Sequence, residues 1–88
     1  MFDKIPENYY YEGIGWLGAL LFLVSYAFLI TGQWKSTQAI YHMFNLLGGI
    51  FLVINTCYFG SWSATFINAV WALIALYGLF KDKHLNFF

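Results

Sequence analysis

Polar positions in this chain are confined to a few places, and long apolar stretches separate them. No formally charged side chain occurs between Glu12 and Lys35, and none between Lys35 and Lys81. A membrane-spanning helix needs roughly 20 apolar residues. The first stretch therefore predicts one span, at about residues 13–31. The second is far too long for one span and predicts a helical hairpin, with spans at about 37–59 and 63–80 and a turn at Gly60 and Ser61. The middle span is the unusual one. Its Gln38, His42, Asn45 and Gly49 are spaced i, i+4, i+7 and i+11, so a helix gathers them on one face, flanked by Tyr41 and Gly48. Amide and imidazole groups facing lipid would have nothing to bond to. The stripe must turn inward, toward other helices or a wet cavity.

The outer two spans carry stripes of small residues. Gly15, Gly18, Phe22, Ser25 and Leu29 share a face of the first span, with Tyr26 beside them. Ala64, Asn68, Ala72 and Ala75 share a face of the third, with Trp71 and Gly78 alongside. Small residues let membrane helices approach closely. With Gly48 and Gly49 of the middle span, Gly15, Gly18, Ala72 and Ala75 are the expected packing positions. The stripes also invite a second copy, so a parallel homo-oligomer is expected, with a dimer favoured. Counting 1.5 Å per residue from the Gly60 turn places the polar groups in layers. Asn55 is expected opposite Asn68, Asn45 opposite Ser25 or Tyr26, and His42 with Tyr77 and Gln38. Tyr26, Asn45, Asn55 and Asn68 are the candidate lining of a polar cavity. Gln38, His42 and Tyr77 are a candidate polar network, in which His42 is the group that titrates near neutral pH.

Composition agrees with this pattern. The 88 residues are 61% hydrophobic, and four basic and four acidic side chains give a net charge of zero. Eight charges cannot clothe a soluble domain of this size. The class is an all-α integral membrane protein, a single domain over residues 1–88 with three spans per chain. Membrane lipids are its first partners. No ten-residue alternating segments suggest a β-barrel. The first apolar segment follows acidic residues and tyrosines, and reads as a span and not as a cleaved signal peptide. Tyr9, Tyr10 and Tyr11 read as interfacial anchors, as do Trp34, Lys35 and Trp62. With no arginine and no basic run, nucleic-acid binding has no electrostatic basis. Catalysis is not expected. Within the predicted spans there is no carboxylate, and Cys57 and His42 lie about 22 Å apart along one helix. His42 and His84 do not make a metal site, and no phosphate-cradling loop is present, so neither metal nor other cofactor is expected.

The string Lys35-Ser36, then Tyr41-His42-x-x-Asn45-x-x-Gly48, then Asn68-x-x-Trp71-x-x-Ile74-Ala75-x-Tyr77-Gly78-Leu79, resembles a family of small uncharacterised bacterial membrane proteins, some described as permease-like. The architecture also resembles the SemiSWEET half-transporters of sugars. Lys35-Ser36, Tyr58-x-Gly60 and Asn68 match the pattern of that group. The group's Pro-Gln hinge, which would fall near Tyr26-Ala27, and its second-span pocket tryptophan, which would fall at Asn55, are absent. This resemblance implies three spans paired as parallel homodimers around a central pocket, with Asn68 facing the substrate. The expected function is a permease-like half-unit for a small polar solute. The alternative is a non-transporting accessory or scaffold protein that binds lipid or a larger membrane partner. A channel would need a continuous wet axis.

Lysine placement gives an orientation. Lys35, Lys81 and Lys83 share one side, while Lys4 is alone among three acids on the other. The positive-inside rule then places the protein in the cytoplasmic (inner) membrane with its N-terminus outside and its C-terminus in the cytoplasm. In a background lacking Cys57, a cysteine near residue 4 should react with an impermeant maleimide on intact cells. Labelling only after the inner membrane is permeabilised would reverse the topology.

Overall fold

The computed structural model describes residues 6–82. Lys4, Lys83, His84 and the aromatic tail Phe87 and Phe88 lie outside the described residues. Three helices follow in order: α1 (Glu7–Ile30), α2 (Ala39–Tyr58) and α3 (Trp62–Asp82). Each is long and apolar enough to cross a membrane. Their bounds differ from the expected spans at both ends of the chain. Pro6 stands at the N-cap of α1 with φ −56°, a backbone already suited to entering a helix, so α1 begins six residues before Gly13. At the other end α3 runs two residues past Phe80, through Lys81 to Asp82.

Both connections close in the same way. Gly32 has φ 81° and Gly60 has φ 75°, the left-handed region that glycine enters without steric cost. Gly32 N–H donates to Leu29 O (3.1 Å) and Gln33 N–H to Phe28 O (3.0 Å). Gly60 N–H donates to Cys57 O (3.2 Å) and Ser61 N–H to Thr56 O (2.8 Å). These are Schellman closures, and they satisfy helix-end carbonyls that water cannot reach within a bilayer.

α2 lies in the middle. α1 and α3 each pack against it, and their backbones do not approach one another. The seams are built from small residues. A Cβ placed on Gly18 would lie 2.9 Å from Gly48 O, and one on Gly48 would lie 2.7 Å from the Phe22 ring. A Cβ on Gly49 would lie 3.0 Å from that of Ala72. Gly15, Gly18, Gly48, Gly49, Ala72 and Ala75 are all buried within the single chain. Gly18 and Ala72 are therefore not surfaces left open for a second copy, as their stripes had suggested. They are filled by α2, because α2 offers its own glycines at the matching heights. Large apolar side chains such as Trp16, Leu23, Phe66 and Leu73 point outward instead, where lipid would cover them.

Gly18→Ala should thus act on the fold of one chain. Its methyl group meets backbone, which cannot rotate away, so α1 and α2 must separate. The expected loss is about 1–3 kcal/mol, read by denaturant unfolding in detergent. An unchanged midpoint would mean that the seam is looser than its geometry.

Candidate functional site

Because the backbones of α1 and α3 flank α2 without approaching one another, they leave a groove over one face of α2. Its middle compartment holds about 340 Å³ and is lined by Phe22, Ser25, Tyr26, Tyr41, Asn45, Ile67, Asn68 and Trp71. This lies in the range of small-molecule pockets, roughly 300–1,000 Å³. A second compartment of about 330 Å³ continues toward the end where the α1–α2 loop and the end of α3 lie. Tyr41, Asn45 and Trp71 line both, so the two make one channel-like groove. The rings of Phe22 and Trp71, centroids 6.3 Å apart and set edge to face, bridge α1 and α3 across it.

The floor of the middle compartment is a polar pair. Ser25, only 1% exposed, donates its hydroxyl to Asn45 Oδ1 at 3.1 Å. The helix register explains the meeting, since Ser25 shares the α1 face of Gly15 and Gly18, and Asn45 shares the α2 face of Gly48 and Gly49. With its oxygen engaged, Asn45 has amide N–H groups to spare. Asn68, half-buried on α3, donates its own amide to Ala64 O (2.9 Å) within the same helix, leaving its oxygen as the acceptor for anything in the groove. Tyr26 is 61% exposed at the rim. The groove therefore offers donors and acceptors spaced along an otherwise aromatic and aliphatic wall.

Several expected partners are different. Asn55 does not face Asn68 and does not line the groove. It points to α1, where its amide donates to Tyr11 O (2.8 Å) and fills the space above Gly15. The reason is rotation: ten residues separate Asn45 from Asn55, and that is not a whole number of 3.6-residue turns. The α2–α3 tie near the hairpin turn is made instead by Thr65 Oγ1, which donates to Thr56 Oγ1 at 2.8 Å. Gln38 is not in a network with His42. Its Oε1 accepts from Lys35 N–H (2.7 Å) and braces the loop. Of the candidate lining, Tyr26, Asn45 and Asn68 come together and Asn55 does not.

Among the described residues, His42 has neither Tyr77 nor Gln38 as its side-chain partner. Its Nε2 lies 2.8 Å from Asp82 Oδ2, with both side chains nearly buried. Tyr77 lines the same compartment but is 69% exposed. A carboxylate thus does sit within the helix bundle, contrary to expectation. Cutting the third span at its first charge hid it. The available signal was that Gly78 and Asp82, at i and i+4, share the face that meets α2.

A family model matches residues 11–83, which takes in all but the first few residues of α1, the whole of α2 and α3, and the groove between them. The chain belongs to that family, which is uncharacterised. No curated protein and no solved structure matches the chain. This three-helix, membrane-spanning protein must accordingly be read from its own groove.

Ser25→Ala, Asn45→Ala and the double variant form a thermodynamic cycle for the pair at the floor. Membrane interhelical hydrogen bonds average about 0.6 kcal/mol, with a maximum near 1.7. A coupling in that interval is expected from unfolding in micelles. A value of zero would mean that Ser25 and Asn45 are neighbours without being partners.

Proposed function

We propose that the chain is a half-unit of a small, non-enzymatic transporter, and that two copies pair in parallel so that their grooves face one another around a polar solute. The observation that carries this reading is the groove. It holds the unspent amide edges of Asn45 and Asn68 at the depth of the bilayer, where each is costly unless it meets water or a ligand. The gap between α1 and α3 leaves the groove open at the side, and a second copy in the same orientation would close it. The SemiSWEET-like placement of Asn68 and the lysine pattern support the same arrangement, in an inner membrane with the N-terminus outside. The rival reading is an accessory protein whose polar groups only pack. It draws support from Ser25 and Asn45, which satisfy each other within one chain.

Wetness and flux separate the two. In a Cys57→Ser background, Asn68→Cys should react with a water-soluble maleimide in intact vesicles, while Leu73→Cys, on the outward face, should not. Glucose serves as the flux probe in proteoliposomes, chosen for the sugar-transporter likeness. Asn68→Ala should lower glucose flux about tenfold or more, the effect of leaving a recognition bond unmade, with little change in melting temperature. A dry, unreactive position 68, or a collapse of stability with flux retained, would reduce Asn68 to a structural residue.

A further inference from the structure

The α2–α3 seam is tied at both ends, by chemically different means. Near the hairpin turn two hydroxyls suffice, Thr65 to Thr56. At the loop end the tie is His42 to Asp82, an imidazole and a carboxylate brought to 2.8 Å in a mostly dry setting. Burying an ionisable pair is a costly way to hold two helices, and neutral groups of similar size often do as well or better. The difference calls for a use of the charge.

The local architecture is a slot. Gly78 and Asp82 stand one helical turn apart on α3, and the imidazole lies between them. A Cβ at Gly78 would come within 2.7 Å of His42 Nδ1 and 3.0 Å of Nε2, so only glycine leaves room for the ring. Since an ionised carboxylate can only accept, Nε2 carries the proton in the neutral ring and Nδ1 keeps a lone pair. The pair also lines the loop-end compartment and is not sealed away from it. Among the described residues, the other titratable groups around that compartment are Tyr41 of α2, which meets the imidazole edge to face, and Tyr77 and Lys81 of α3. Ser36 and Thr37 contribute only hydroxyls from the loop, and no α1 residue lines it.

We propose that His42 and Asp82 form a proton-binding site, and that its occupancy controls how tightly the loop end of the groove is closed. A proton arriving through the compartment binds Nδ1 and converts the neutral ring to imidazolium. The Nε2–H···Oδ2 bond, already assisted by the carboxylate's charge, then joins opposite charges, which strengthens it further. The net charge of the pair goes from minus one to zero, and α3 is clamped to α2. Loss of the proton weakens the clamp and leaves the Asp82 carboxylate without its imidazolium partner, at a compartment that the exposed Lys81 also lines. If the groove is the solute path, as proposed above, solute movement would follow the proton gradient. The proton site itself does not depend on that path.

The test uses the full chain in phosphatidylcholine nanodiscs. Imidazole 15N signals are followed between about pH 5 and 8, and His42→Gln identifies which signal is His42. The ring should titrate in that interval, and Asp82→Asn should move its midpoint. Independently, Ile74→Cys in the Cys57→Ser background reports access to the compartment. Its maleimide labelling, taken relative to the His42→Gln variant at each pH, should slow at acid pH, and this dependence should be lost with Asp82→Asn. A ring that keeps one protonation state throughout, or a titration indifferent to Asp82→Asn, overturns the site. Should either variant fail to fold, His42→Asn or Asp82→Ser takes its place as the reference or as the test. A pair that titrates and closes in a protein without glucose flux and with a dry position 68 counts against the transport reading and leaves the proton site standing.

Discussion

The backbones of α1 and α2 meet at Gly18 and Gly48 with no side chain between them, and Gly49 lets Ala72 of α3 come nearly as close on the other side. Lipid tails are as apolar as leucine, so burying apolar surface gives these helices no reason to associate. Close contact and a few hydrogen bonds must hold them, and both need short distances. The glycines set those distances. Ser25 can reach Asn45 only because the helices are this near, and the imidazole of His42 fits beside α3 only because residue 78 has no side chain. Adding one methyl at any of these positions would act first on the spacing and then on every polar pair that depends on it.

That spacing also accounts for the groove. A central helix flanked by two others whose backbones stay apart leaves a cleft on at least one side. Here the cleft coincides with the polar face of α2. The glycines and alanines hold the seams, and Asn45, on the same face of α2 as Gly48 and Gly49, lines the gap together with Asn68 of α3. The family to which the chain belongs brings no function with it, and the groove ends at the contact between His42 and Asp82.

Much of this was legible in the sequence. Long uncharged stretches sufficed for three helices, because the bilayer's demand for about 20 apolar residues is so strict. Helical spacing sufficed to gather Asn45 with Gly48 and Gly49, and depth set it level with Ser25 or Tyr26, of which Ser25 is the partner. What escaped was rotation and reach. Depth alone placed Asn55 opposite Asn68, yet depth says nothing about which way a side chain points, and Asn55 points to α1. Charge alone ended the third span at Phe80, yet a helix does not stop because a residue is ionisable. It continued to Asp82, where His42 offered the carboxylate a partner. Asp82 was overlooked as a site residue because the span was cut before it, although it shares the α2-facing side of Gly78.

The bridge between Phe22 and Trp71 has a consequence of its own. This edge-to-face aromatic meeting joins α1 to α3. Such ring pairs are worth about 0.5–1.5 kcal/mol beyond the area they bury, only about one to three times the thermal energy at room temperature. The mouth of the groove is therefore its most compliant part. Its width belongs less to the fold than to whatever lies in it, and a lipid tail, a solute or a neighbouring helix would each meet a differently shaped opening.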